Sequence, residues 1–287
     1  MYNVLFSIYK GCVKILSGHG IGRFFLVAVA DNFIRSRLTP NFAEVLGHKM
    51  YLDVKDALRL SINGVYEPFE TELVRKEVKK GDVVLDIGAN IGYYTLIFAK
   101  LVGQEGEVLA FEPDPNNFAL LKKNIEINGY RNVSLLQKAV SNRSGKIRLY
   151  LSDSNPGAHT IYDSHDGHKS IEIEAITLDD YFKNYGRRIS LAKIDVQGAE
   201  GRVIQGMSNL LKKNKNMRIV AEFWPIGLKR SGVGAEEYLK LLIEHGFKLY
   251  HIDERKKRIE PVDIPKLIKL YTPEKGNATN LFFAREC

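Results

Sequence analysis

Cysteine is almost absent: the chain of 287 residues holds two, Cys12 and Cys287, at opposite ends. Such a pair offers no disulfide framework and no CxxC metal pair, fits a reducing compartment, and leaves the middle of the chain without a thiol nucleophile. Long apolar runs are missing as well. In FFLVAVADNFI (24–34), the apolar residues stop at Asp31, too soon to span a bilayer. The opening MYNVLFSIYKGCVKIL sets Lys10 and Lys14 into its apolar pattern, unlike a secretory leader. There is no internal repeat, no low-complexity tract, no His/Cys cluster of the zinc type, and no basic stripe interleaved with aromatics that would point to nucleic acid.

What is present is ample material for a core, with 45% hydrophobic and 26% charged residues. The formal net charge is +8, with basic clusters at 35–37, 75–80, 212–218 and 254–258. Such clusters are solvated surface or an attraction for an anionic partner, such as a phosphorylated sugar, nucleic acid or a membrane surface.

Residues 1 to about 40 read as two amphipathic helices, suited to packing on the body or on a second subunit. KMYLDV (49–54) alternates like a strand. YEPFETELVRKEVKKG (66–81) reads as a helix with Phe69, Leu73, Val74 and Val78 on one face, stopped at Gly81. From Asp82 a strand–helix rhythm begins: VVLDI, a helix, GEVLAFE, a helix capped by Asp114 with Pro115 in its first turn, then NVSLLQ. GKIRLYLS (145–152) and KSIEIEAIT (169–177) interrupt it as a candidate antiparallel hairpin around a long polar loop, the kind of loop that usually has a job or is disordered. ISLAKID, a helix, MRIVAEFW, a helix, FKLYHID and ATNLFFARE complete the chain. This pattern implies a doubly wound, mostly parallel sheet of seven strands with an inserted hairpin.

LDIGANIG (85–92) carries the chemistry. A dinucleotide turn needs G-x-G-x-x-G, but Asn90 and Tyr93 occupy its second and third glycine positions, and no Gly-Lys-Ser/Thr follows for a phosphate loop. Asp86 at the mouth would oppose a phosphate. A cationic nucleoside inverts that logic. S-adenosylmethionine carries an ammonium and a sulfonium, which suit Asp86 and the exposed turn backbone, and Glu112 in AFEP can accept ribose hydroxyls.

These stretches, with VLAFEPDPNNFALLKKNIEINGYRNV, QKAVSNRSGKIRLYLS, ITLDDYF, ISLAKIDVQGAE and GVYEPFE (64–70), resemble the FkbM-type methyltransferases from about Gly64 onward. The resemblance implies a class I, Rossmann-like S-adenosylmethionine fold and methylation of a hydroxyl on a saccharide or natural product; residues 1–40 lie outside it, and the expected division is a helical extension at 1–45 and a methyltransferase domain at 46–287. It further implies that Asp86, Gly88, Asn90 and Gly92 hold the methionine end, Glu112 the ribose, that Ala139 lies by the adenine and Asp195 near the transfer site. Gln197 departs from it, since the family more often has an acid there.

Methyl transfer to a hydroxyl needs an aligned acceptor and a route for its proton. Asp195 follows a strand and leads into a glycine turn; Glu222 lies late in MRIVAEFW; His159, with His165 and His168, lies in the loop between the hairpin strands. Asp195, Glu222 and His159 are the catalytic candidates. Asp195 and Glu222 could instead hold a metal, which stays unassigned, and Asp179 and Asp180 read as caps. The turn DVQG lacks the Asn/Asp-Pro-Pro-aromatic signature of nucleobase amino-methylation, and cytosine C5 chemistry lacks its cysteine. The expected activity is O-methylation of a saccharide, glycan or secondary metabolite in the cytoplasm. An RNA ribose methyltransferase and a non-catalytic cofactor-binding partner are the rivals, and a homo-oligomer through the N-terminal helices is possible.

Overall fold

The computed structural model describes residues 41–153, 155–163 and 167–285, together with Tyr9, Gly11 and Val13. Apart from those three helical positions, the expected N-terminal helices, their role in oligomerisation, both cysteines and His165 lie outside the described residues. The chain divides into two compact units, Met1–Tyr66 and Glu67–Cys287.

In the first unit, β1 (Phe42–Val45) and β2 (His48–Tyr51) pair antiparallel across a turn at Leu46 and Gly47, both with positive φ. The end of the stretch expected as helical extension is therefore strand, because the apolar residues there alternate and Gly47 supplies a hairpin turn. Below the hairpin, the Asp56 carboxylate accepts the N–H groups of Leu60 and Ser61 and starts the short helix Leu60–Asn63.

The second unit is built on one sheet. Its strands are β3 (Val83–Ile87), β4 (Glu107–Phe111), β5 (Val133–Leu136), β9 (Leu191–Ile194), β10 (Arg218–Phe223), β11 (Lys248–Asp253), β12 (Arg258–Pro261) and β13 (Thr279–Ala284), in the order β12-β11-β13-β10-β9-β3-β4-β5. Seven are the expected ones. The eighth, β12, is a short edge strand hairpinned to β11, and its mixed polar sequence RIEP hides it from periodicity. β10, β9, β3, β4 and β5 run parallel, while β13 is antiparallel to both β10 and β11. β3 and β9 are buried at every position, as strands covered on both faces must be. The largest apolar cluster joins Leu85, Leu109, Ile194, Ile219 and Phe283 of the sheet to Val203, Leu228 and Leu239 of the helices.

The inserted hairpin forms, as β7 (Gly145–Tyr150) and β8 (Ser170–Ile176), within a separate three-stranded sheet completed by β6 (Ala139–Val140). The helix Pro68–Glu77 ends before Gly81 and buries Glu70 and Thr71 beside Leu73 and Val74, so its inner face is more polar than its apolar spacing implies. Asp114 caps the helix Pro115–Ile127 by accepting from the N–H groups of Asn116 and Asn117. Thr177 caps Leu178–Tyr181, while the Asp179 carboxylate instead accepts the N–H groups of Asn209 and Leu210 at the start of Ser208–Lys213.

The chain leaves β3 toward β4 on one side and returns to β9 on the other. That reversal places a crevice beyond the carboxyl ends of β3 and β9, where open α/β sheets take their ligands.

Candidate active site

After Ile87 the chain turns through Gly88–Gly92 into the helix Tyr93–Val102. Gly88 (φ 85°), Asn90 (φ 51°) and Gly92 (φ 95°) are all left-handed. Glycine adopts this conformation freely and asparagine tolerates it better than most side chains. The turn is fastened to β4. The N–H groups of Gly88 and Ala89 donate to the Phe111 carbonyl at 2.9 and 3.0 Å. The N–H of Asn90 donates to Glu112 Oε2 at 2.7 Å. On its other side Gly88 touches the turn after β9, where a Cβ would lie 1.8 Å from the Asp195 carbonyl oxygen.

Glu112 accepts a second N–H, from Asp114, on Oε1 at 2.9 Å. It is 5% exposed. Burial lifts its pKa to about 8 against those two donors, and the charges of Asp114 and Asp86 add to the rise. Each of its oxygens keeps a second lone pair. Asp86, 2% exposed, accepts the Thr95 hydroxyl on Oδ2 at 2.5 Å. Burial raises its pKa to about 6, opposed by Thr95 and Lys193.

Lys193 stands directly across from Asp86 in the β3–β9 register. Its ammonium is buried, 3.2 Å from Glu70 Oε1, 3.8 Å from Asp195 Oδ2 and over the Tyr94 ring. Tyr94 donates to Glu70 Oε1 at 3.0 Å and to Glu67 Oε2 at 3.2 Å. Asn280 of β13 donates to Glu67 Oε1 at 2.8 Å and lies opposite Glu222 of β10. Burial lifts Glu67 to about 8, with Glu70 adding and Lys193 opposing. Glu200, fully buried, accepts the N–H groups of Val196 and Gly198 on Oε1, and burial raises it to about 7. Burial, then the charges of Asp195 and Glu200, holds Glu222 well above the usual carboxylate range, and its Oε2 is buried without a hydrogen-bond partner among the described residues. Several carboxyl groups thus share one buried ammonium, an arrangement that keeps protons on some of them at neutral pH.

Asp195 follows β9. Its N–H donates to the Ile87 carbonyl, its Oδ1 accepts Gln197 Nε2 at 2.7 Å, and its side chain is 28% exposed. Asp195 is thus within electrostatic reach of both Asp86 and Glu222. His159 is placed elsewhere. Its Nδ1 accepts the Ser152 N–H at 2.9 Å, and its Nε2 lies 3.9 Å from Asp114 Oδ2. Burial lowers its pKa, with Asp114 opposing. Ala139 starts β6 and is buried with Leu149, Ile173 and Ala175 of the small sheet.

Residues 155–163, between β7 and β8, reach the turns that follow these strands. Pro156 accepts Asn117 Nδ2 at 2.9 Å, Gly157 faces the Asn90 amide, and the Tyr162 hydroxyl donates to the Gln197 carbonyl at 2.8 Å. Sequence reasoning missed Lys193, Glu67, Glu70, Glu200 and this use of Tyr162. A lysine inside the apolar strand LAKID was a legible sign, since a buried cation demands a buried carboxylate.

Among the described residues no group of three or more His, Cys, Asp or Glu is arranged to hold a metal ion, and no helix is long and apolar enough to cross a membrane.

The profile of the methyltransferase FkbM domain matches residues 86–249. The hexuronic acid methyltransferase AglP of Haloferax volcanii is 29% identical over 231 residues, covering 76% of this chain and 84% of that protein. The 31-O-demethyl-FK506 methyltransferase FkbM of Streptomyces tacrolimicus is 30% identical over 201 residues, covering 60% of this chain and 74% of that one. A solved methyltransferase FkbM from Methylobacillus flagellatus superposes with a TM-score of 0.41 at 13% identity, over 80% of this chain and 53% of its own. The matched profile spans more than half of the chain, from Asp86 at the mouth of the glycine turn to β11, and the chain belongs to the FkbM methyltransferase family.

Proposed function

We propose that this chain transfers the methyl group of S-adenosylmethionine to a hydroxyl of a saccharide or secondary metabolite. The observation that carries the reading is the row of acids along the carboxyl ends of adjacent strands, with Glu112 after β4 and Asp86 in β3 buried, and Asp195 after β9 and Glu222 in β10 partly exposed. The donor set fits a cationic nucleoside. Asp86 is buried, and Thr95, through its hydroxyl and its backbone N–H, and Lys193 offset only part of the desolvation of its charge, so an ammonium would restore what burial removes. Glu112 has lone pairs left for two ribose hydroxyls, and the turn Gly88–Gly92 offers backbone without side-chain bulk at either end. Ala139 would close the adenine end.

When bound, S-adenosylmethionine supplies a methyl group activated by its cationic sulfur. The chain's share is to hold the acceptor, exclude water and receive a proton. Asp195 is exposed enough to meet a hydroxyl and is oriented by Gln197 and Lys193. We assign it the role of base, with Glu222 as the carboxylate that shares the proton. His159 has its Nδ1 committed to Ser152, and we assign it to anchoring the loop at Asp114. Relatives named as acting on a hexuronic acid, or as a 2-O-methyltransferase in Sinorhizobium fredii, support a sugar hydroxyl as acceptor.

The test is incubation of the full chain with methyl-labelled S-adenosylmethionine and a panel of sugars, uronic acids and polyol metabolites, reading the label by mass spectrometry and NMR. A methyl ether on a carbon-bound oxygen is the expected product. Cofactor binding with no transfer to any acceptor would favour a non-catalytic partner, and transfer to RNA ribose with steep salt dependence would favour the RNA reading.

A further inference from the structure

Beside this site lies a groove of about 400 Å³ along the outer edge of the small sheet, lined among others by Arg143, Arg148, Tyr162 and Arg202. β7 is the edge strand of that sheet, and its outward residues Lys146 and Arg148 alternate with Ile147 and Leu149, which pack inward. The wall holds four basic residues, Arg143, Lys146, Arg148 and Arg202, against two acids, Asp163 and Glu172. Glu172 is engaged by Lys146 at 2.6 Å. The side chains of Arg143 and Arg148 have no hydrogen bond or ion pair among the described residues, and Arg202 spends only its Nε, on the Ser231 carbonyl. Arg143 and Arg202 lie close enough to repel each other electrostatically. Holding guanidinium groups together without anions costs stability, and a bound oxyanion removes that cost.

Tyr162 ties the groove to the chemistry. It lines the groove, and its hydroxyl donates to the Gln197 carbonyl two residues beyond Asp195. It also lies in the field of Glu200 and Glu222 on one hand and of Arg230 and Arg202 on the other. A sugar ring seated at Asp195 would therefore reach the groove with an anionic substituent or a neighbouring unit.

We propose that the groove of Arg143, Arg148 and Arg202 is an anion subsite, and that the acceptor is a saccharide bearing a carboxylate or a phosphate. This rests on the reading of the chain as a sugar-hydroxyl methyltransferase and narrows its substrate class. Planar guanidinium forks take either oxyanion bidentately, so the two sources share one chemistry.

The experiment titrates the full chain, in the presence of S-adenosylmethionine, with glucuronate, glucose 1-phosphate and glucose, for wild type, Arg148→Glu and Arg143→Ala. The expected result is that at least one charged sugar binds about tenfold or more tighter than glucose, and that both variants lose this preference with unchanged cofactor binding. Stronger binding of glucuronate assigns the carboxylate, and of glucose 1-phosphate the phosphate. Equal binding of the three sugars, a preference that survives in both variants, or competition of both sugars by a single-stranded RNA oligonucleotide would overturn the proposal. Failure of the wild type to bind S-adenosylmethionine would instead overturn the functional reading beneath it.

Discussion

Gly88 and the Asp195 carbonyl are in direct contact: a Cβ on Gly88 would sit 1.8 Å from that oxygen. The turn proposed for the cofactor and the turn proposed for proton removal are thus packed backbone to backbone. Gly88→Ala must move one of them and also accept a φ of 85°. The backbone strain alone costs about 1–3 kcal/mol. Gly129, with φ 71° and open space around it, carries the strain without the clash. Thermal unfolding of the two alanine variants should show the larger fall for Gly88→Ala, with methyl transfer abolished there and retained in Gly129→Ala.

The acids of the site fix the pH response of the ligand-free chain. Their folded pKa values are raised, to about 6 for Asp86, about 7 for Glu200 and about 8 for Glu67 and Glu112. Unfolded carboxylates titrate near 4. Between the two the folded state holds protons that the unfolded state has released, so stability falls as pH rises through this window. Asp86 alone accounts for about 3 kcal/mol. Melting temperature should therefore drop by ~6 °C or more between about pH 5 and pH 8.5. A scan across that range checks it, and a cationic ligand at saturation should flatten the slope.

Lys193 is the cation that opposes this loss, lowering the pKa of Glu67, Asp86 and Glu222. Lys193→Met removes it and leaves buried carboxylates without a counter-charge, a change that costs about 3–5 kcal/mol when the partner is ionised. The deficit against wild type should grow with pH, because the orphaned acids are neutral in acid and charged in base. Urea unfolding at about pH 6 and pH 8.5 measures this directly; a deficit independent of pH would assign Lys193 a packing role only.

Gln197 donates to Asp195 Oδ1 at 2.7 Å. Gln197→Glu takes that donor away and sets a like charge against Asp195. If Asp195 is the base, kcat should fall about tenfold or more with the affinity for S-adenosylmethionine unchanged. An unchanged kcat would remove Asp195 from that role.

The sheet was legible because buried parallel strands such as VVLDI and LAKI are short β-branched or aliphatic runs between helical periods. β12 was not, since an edge strand needs no apolar pattern. At the site, Asp86 and Glu112 stood out because each closes a strand beside a turn. The partners of Lys193 did not. Glu70 comes from the helix Pro68–Glu77 and Asn280, which holds Glu67, from the last strand, so only the register of β10 with β13 and of β3 with β9 assembles them. His159 read as a candidate base because a loop histidine's ring partners, Ser152 and Asp114, depend on how the loop folds back.

The most direct measurement is calorimetric titration of S-adenosylmethionine into wild type, Asp86→Asn and Glu112→Gln at about pH 8. Loss of a charge-assisted contact should weaken binding about ten- to hundredfold in each variant while the fold is retained. Wild-type affinity in both variants would mean that these two carboxylates do not face the cofactor, and the electrostatic basis of the site would be wrong.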